Sequence, residues 1–208
     1  MTIRIEHTTT SGTFALDGGS WDVDNNVWLV GDDDECVVID AAHQLSPILD
    51  LIGSRRLISI LCTHAHNDHI TVARQLSEQT GAPARLHPAD EVLWRQTHPD
   101  FDFVPLADNE RIQVAGSSLQ VRHTPGHSPG GVCFYSADLG AVFSGDTLFH
   151  GGPGATGRSF SNFGTLLDTI RSQLFTLPPG TVVHTGHGES TTIGAEAPQL
   201  DDWIARGH

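Results

Sequence analysis

The 208-residue sequence predicts an α/β fold on three observations. Short apolar runs of strand length end in polar, glycine-rich loops. Segments with helix start and stop signals lie between them. The strands fall in two groups, each followed by helices, which fits two packed sheets covered by helices on the outside. Periodicity by itself supports no more than a mixture of α and β.

The elements follow in order. Asn26 to Val30 and Cys36 to Ile39 read as paired strands around the turn Gly31-Asp32-Asp33-Asp34, with Asp32 to Glu35 a solvated hairpin tip. Ser46-Pro47 opens a short helix, proline being tolerated in a first turn. Leu57 to Leu61 is a buried strand, and Ile70 to Gln79 a helix stopped by Gly81. Arg85-Leu86 is a strand, and Pro88 opens a helix through Trp94. Further strands fall near Arg111 to Val114, Leu119 to Val121, Val132 to Tyr135 and Ala141 to Phe143. Ser161-Asn162 starts a helix toward Leu174. Pro178-Pro179-Gly180 turns into the strand Val182-Val183, and Gln199 to Ala205 is a closing helix.

The length suits one domain, residues 1–208, with a substantial core. The net charge of −14, with no basic run, argues against nucleic acid and anionic membranes as partners. Arg supplies all eleven basic side chains and Lys none. Cys36, Cys62 and Cys133 sit in apolar runs and read as buried reduced thiols. No segment has the length of a membrane span, and Met1 to Glu6 lacks a signal-peptide core, so a cytoplasmic protein is expected.

The chemistry concentrates in Thr63-His64-Ala65-His66-Asn67-Asp68-His69. A loop leaving a strand can turn these side chains inward, whereas on a helix they would fan out around the axis. His64 and His66 suit one cation, and Asp68 and His69 a second one close by. Three later strand-ending loops each present one donor: His127 in Thr124 to Gly130, Asp146 after Val142-Phe143-Ser144-Gly145, and His187 in Gly186-His187-Gly188. Glycine there lets the backbone approach the cations closely. Zinc is the first expectation for such a donor set, with iron and manganese as alternatives. A water shared by two divalent cations is hydroxide near neutral pH and attacks a carbonyl carbon, while one cation polarises the carbonyl oxygen. Asp40, closing the run Cys36-Val37-Val38-Ile39-Asp40, is a candidate partner for the outer N–H of a ligating histidine or, equally, a cap at a strand end. His43, His123 and His184 do not match ligand positions.

His64-x-His66-x-Asp68-His69 followed by His127, Asp146 and His187 resembles the metallo-β-lactamase superfamily. Within it, His123-Thr124-Pro125-Gly126-His127, Gly145-Asp146-Thr147-Leu148-Phe149 and Gly186-His187-Gly188 are similar to the short glyoxalase II-like proteins, as is Asp24-Asn25-Asn26-Val27-Trp28-Leu29. The resemblance implies a four-layer αββα sandwich. It implies that His64, His66 and His127 hold one metal, that Asp68, His69 and His187 hold the other, and that Asp146 bridges both. It implies hydrolysis of a small-molecule thioester, with Asp68 also able to handle a proton.

The chain departs from full-length glyoxalase II, whose C-terminal helical domain holds glutathione, because only 21 residues follow His187. The thiol carrier, whether glutathione, mycothiol or another, is therefore open, as are the acyl group and the oligomeric state. Gly157-Arg158 stands three residues later than the related Gly-Lys or Gly-Arg pair, so Arg158 is either a partner for a substrate carboxylate or a surface ion-pair residue. Trp94, His98, Phe101 and Phe103 are either a flap over the site or a hydrophobic cluster under a loop. Among rivals, a β-lactamase lacks an Asp at the position of Asp146. A lactonase of the superfamily has Tyr where Phe149 stands. Flavodiiron proteins have Glu in place of His66. A persulfide dioxygenase shares the first motif and the loop Pro125 to Gly130. It uses one iron on two histidines and an aspartate, and lacks the loop around His187. A non-catalytic metal-binding module is the third class; open coordination positions argue against it.

Overall fold

The computed structural model describes residues 2–207 and contains two six-stranded sheets. The first sheet is ordered β1 (Arg4–Leu16), β2 (Gly19–Gly31), β3 (Glu35–Ile39), β4 (Arg56–Leu61), β5 (Ala84–Leu86) and β6 (Val104–Pro105). β1 to β3 are antiparallel, and β3 to β6 parallel. The parallel steps require crossovers. These are α1 (Leu45–Ile52), α2 (Asn67–Ile70) with α3 (Ala73–Thr80), and α4 (Glu91–Thr97).

The second sheet contains β7 (Arg111–Val114), β8 (Ser117–His123), β9 (Val132–Ser136) and β10 (Ala141–Gly145) as an antiparallel meander. A small ribbon of β11 (Leu148–Phe149) and β12 (Gly152–Pro153) follows, then α5 (Phe163–Thr169), continued by one π-helical turn over Ile170–Leu174. β13 (Val182–Thr185) pairs parallel to β10, and β14 (Thr191–Thr192) closes that edge of the sheet. α6 (Ile193–Glu196) and α7 (Leu200–Arg206) end the chain.

Strand alternation sorts the side chains into layers. On β2 and β3, Val27, Leu29, Cys36 and Val38 face α1 to α4, and Val30, Val37 and Ile39 face the other sheet. There they meet Ile112, Leu119, Val121, Phe134 and Phe143 of β7 to β10. The far side of the second sheet packs Val142 and Val183 against Leu166, Ile170 and Trp203. The result is the four-layer sandwich. All three cysteines are buried and unbridged, and burial pushes the Cys36 and Cys133 thiols up to about 11.

Caps fall where the sequence places them. Gly81 takes the left-handed conformation after α3 (φ 76°), and Asn162 accepts a hydrogen bond from Thr165 N at 2.8 Å to start α5. Two differences and one choice between readings matter for the site. β1 and β2 form a hairpin of two 13-residue strands, longer than the segment from Asn26 to Val30 suggests. This edge hairpin is polar and half-exposed over much of its length, so it lacks the apolar run that marks a strand. The expected helix over Ile70 to Gln79 is broken at Thr71-Val72, and its first turn begins at Asn67, inside the metal motif. Trp94 is fully buried, and it packs with Phe101 and Phe103 against the core beneath α4. That stretch is a core cluster and not a flap, because the indole N–H donates inward to Phe101 O at 2.7 Å.

Candidate metal centre

The site lies where loops leave the ends of β4, β8, β10 and β13, at the rim between the two sheets. His64 and His66 follow β4 in an irregular segment, with His66 extended. Asp68 and His69 occupy the single turn of α2, so the motif is half loop and half helix and not the single loop its spacing suggests. Gly145 and Gly186 allow the close approach. Gly145 has φ 48° and lies against Thr63. A Cβ on Gly186 would press on Asp146 Oδ1 and stand 2.8 Å from His69 Cε1.

Seven side chains converge in three overlapping groups: His64, His66 and His127; His64, His69 and Asp146; Asp68, His69 and His187. In the first, His66 Nδ1 lies 3.0 Å from both His64 Nε2 and His127 Nε2. On the other side, His69 Nε2 lies 3.2 Å from His187 Nε2, 3.4 Å from Asp68 Oδ2 and 3.3 Å from Asp146 Oδ1. Asp146 Oδ2 is 3.6 Å from His127 Nε2 and 3.5 Å from His187 Nε2, so this carboxylate faces both groups. Nitrogen ligands 2.0–2.1 Å from a tetrahedral cation stand roughly 3.3 Å apart, which is the spacing seen here.

The outer ring nitrogens explain why lone pairs face inward. His127 Nδ1 donates to Ala155 O and His187 Nδ1 to Asp24 O, each at 2.7 Å. His69 Nδ1 donates to Asp40 Oδ2 at 2.8 Å. His64 Nδ1 faces Thr63 Oγ1 at 3.1 Å, and that hydroxyl is itself committed to Asp40 Oδ2 at 2.7 Å. Each of these four rings thereby turns Nε2 toward the centre, the nitrogen available to a cation once it is deprotonated. Asp40 is thus an orienting partner, standing at φ 60° after β3. Asn25 Nδ2 donates to Asp68 Oδ2 at 3.1 Å, and its Oδ1 faces His43 Nε2 at 2.8 Å, so His43 acts through Asn25.

The residues fit a pair of cations. Asp68 Oδ1 and Asp146 Oδ1 are buried and accept no hydrogen bond, an arrangement that costs several kcal/mol by order of magnitude unless a cation or its water supplies the missing interaction. Electrostatics differ between the halves. Burial, reinforced by neighbouring imidazoles, holds His64 well below the ordinary histidine range and His66 at about 3, so both are neutral and able to ligate. Burial also opposes charge on His69 and His187. The carboxylates of Asp146 and Asp68 outweigh it, raising His69 well above the ordinary range and His187 to about 10. Burial likewise opposes ionisation of Asp68, yet His69 and His187 bring it to about 2.

A pH dependence follows for protein stripped by a chelator. His187 has a raised folded pKa, so its stabilisation is complete below about 6.5 and is lost as pH rises toward about 10. Asp68 is depressed, so its stabilisation is complete above about 4 and is lost as pH falls toward about 2. Melting temperatures of stripped protein should fall at both ends. A flat profile from pH 6.5 to 10 would contradict the assignment for His187.

Two features escaped the sequence reading. Asp90, fully buried before α4, accepts from Ala65 N at 2.9 Å, Ser128 Oγ at 2.8 Å and Gly130 N, tying the first metal loop to the loop of His127. An aspartate after Pro88 reads from sequence as a helix-start residue only. Asp90→Ala should lower unfolding stability by about 2–4 kcal/mol in urea titrations, since three buried donors lose their acceptor. The second is the hairpin's share of the pocket wall, which stands beside the expected Arg158. A cavity of about 230 Å³ above the site is walled by Phe14, Trp21 and Val23 of the hairpin and by Ala155 and Arg158. Arg158 Cζ lies 3.8 Å from the Trp21 ring centroid, so this side chain stacks on an aromatic face at the mouth of the cavity.

Comparisons with known proteins agree with this architecture. The metallo-beta-lactamase superfamily model matches residues 21–187. A probable metallo-hydrolase of Bacillus subtilis, YqgX, is 34% identical over 191 residues, covering 84% of this chain and 90% of its own length. A hydroxyacylglutathione hydrolase of Pseudomonas syringae is 34% identical over 171 residues, covering 79% of this chain and 62% of that protein. The crystal structure of TTHA1623 in a di-iron-bound form superposes with a TM-score of 0.76 at 32% identity, covering 90% of this chain and 96% of that one. With the fold, the rim position of the histidine and aspartate cluster and the span of the family match in agreement, the chain belongs to the metallo-β-lactamase superfamily.

Proposed function

We propose that this protein is a binuclear metallohydrolase that cleaves thioesters of a low-molecular-weight thiol. The observation that carries the reading is Asp146, whose carboxylate faces His69 on one side and His127 on the other, between two half-shells of donors. His64, His66 and His127 would hold one cation, Asp68, His69 and His187 the second, and Asp146 would bridge them. Zinc fits five imidazoles and two carboxylates, as do iron and manganese. When bound, such a pair supplies an acidified water as nucleophile and a Lewis acid for the carbonyl oxygen.

The chain's own groups do the rest. Asp68 Oδ1, free of any other hydrogen bond, accepts one from the attacking water and orients it. At about 2, Asp68 stays ionised and is a weak base. Phe14 and Trp21 shield the reacting bond from bulk water and take the apolar part of the substrate. Arg158, at the mouth, meets a carboxylate of the acyl group or carrier. A thiolate leaves without a strong proton donor. The hydroxyacylglutathione hydrolase relative supports thioester chemistry. The chain spans 62% of that protein's length, so the carrier need not be glutathione.

Phe149 lies 6.2 Å from His187 and offers no hydroxyl to the site, which disfavours a lactonase. The persulfide dioxygenase reading has no use for the half-shell of Asp68, His69 and His187. Metal analysis of fully loaded protein should give about two ions per chain, and a thioester panel should give turnover. One iron per chain, with oxygen consumed on a persulfide and thioesters untouched, would reverse the assignment.

A further inference from the structure

β1 is an edge strand, and among the described residues it pairs in the sheet with β2 alone. The outward-facing backbone groups of such a strand ordinarily turn to water or to a partner chain. At Thr13 and Ala15 they do not. Asn67 Nδ2 donates to Thr13 O at 2.7 Å, and Asn67 Oδ1 accepts from Ala15 N at 2.8 Å. One planar amide thus supplies the donor and the acceptor that a neighbouring strand would offer across the same two-residue interval.

The residue between those two contacts is Phe14. Its ring centroid lies 5.2 Å from that of His66 and 5.7 Å from that of Trp21, and Arg158 Cζ lies 5.7 Å away. The other end of the tether is equally fixed. Asn67 sits between His66 and Asp68, opens α2, and its carbonyl accepts from Thr71 Oγ1 at 2.6 Å. Its side chain points to the hairpin and contributes nothing to the donor set. Across the cavity, Asp17 Oδ2 accepts from Ser159 N at 3.0 Å, so the hairpin tip is held from both sides.

We propose that Asn67 is a positioning residue: its side-chain amide clips the open edge of β1 to the metal motif, setting Phe14 and the hairpin as the substrate-binding wall. The proposal rests on the hydrolase reading for what the wall binds, but not for the clip itself. Asparagine suits the task because it carries one donor and one acceptor on a short stem. Aspartate keeps the acceptor for Ala15 N and loses the donor to Thr13 O, and alanine loses both.

The test uses fully metal-loaded protein and two variants, Asn67→Ala and the isosteric Asn67→Asp. Amide hydrogen exchange at Ala15 should speed up by ~10-fold or more in Asn67→Ala, with a smaller change in Asn67→Asp. Metal content should equal the parent's. KM for a cleaved thioester should rise ~10-fold with kcat within about twofold, since a displaced wall weakens binding in ground and transition states alike. Unchanged exchange at Ala15 in both variants would overturn the clip. A fall in kcat or in metal content at unchanged KM would overturn the positioning role. The exchange measurement needs no turnover, so it stands apart from any failure of the thioester assignment.

Discussion

Replacing Asp146 with alanine should abolish thioester hydrolysis, lowering kcat/KM by ~1,000-fold or more, and should reduce bound metal below two ions per chain. The expectation follows from position. Asp146 is the carboxylate that contacts histidines of both half-shells, with His69, His127 and His187 all 3.3–3.6 Å from its oxygens. Its charge is held firmly. Burial works against it, but His69 and His187 keep the carboxyl well below the usual carboxylate range. Alanine leaves His69 and His187 with Asp68 as their remaining shared carboxylate partner and removes the carboxylate that faces both half-shells. Asp146→Asn preserves shape but not charge, and should fail in the same assay. A fully active, fully metallated Asp146→Ala protein would remove the bridge from the mechanism.

Asp40→Ala should cost about 3–5 kcal/mol of stability and 10- to 100-fold in metal affinity, although Asp40 is no ligand. Its two oxygens accept from Thr63 N at 2.7 Å, Thr63 Oγ1 at 2.7 Å and His69 Nδ1 at 2.8 Å, all of them buried. Alanine would strand three buried donors without their acceptor. It would also free His69 to present either nitrogen inward, and free the Thr63 hydroxyl that orients His64. The backbone at φ 60° is tolerated by aspartate or asparagine better than by alanine, which adds to the loss. Urea midpoints and competitive metal titration separate the two effects. Parent-like metal affinity in a stably folded variant would show that Asp40 is only a strand-end cap.

The convergence of the candidate donors was legible because imidazole and carboxylate chemistry is local in type. His-x-His-x-Asp-His and the three glycine-flanked loops carry their signal in residue identity and in the strand endings before them. The central strands were legible for a similar reason, since Cys36–Ile39 or Ala141–Gly145 are buried on both faces and read as apolar runs. The hairpin of β1 and β2 was harder to read. Most of its residues are exposed or half-exposed, and it is held by distant contacts: Asn67, His43 beside Gly12, and the core behind Val27 and Leu29. Trp94 illustrates a choice that the sequence left open. Aromatic content before Pro105 was compatible with a flap, and only the burial of the indole beneath α4 assigns it to the core.

Which side chains can serve as cation donors, and in what chain order they come, is therefore written in residue types and spacing, because imidazole and carboxylate chemistry does not depend on distant context. Their tautomers, the role of Asp40, the tie made by Asp90 and the wall formed by Phe14, Trp21 and Arg158 arise only when residues far apart in the chain meet. Hydrogen bonds such as His187 to Asp24 and Ala65 to Asp90 join segments whose separation no local pattern encodes. Direction and burial are properties of the packed sandwich, and those two quantities turn a list of donors into a site.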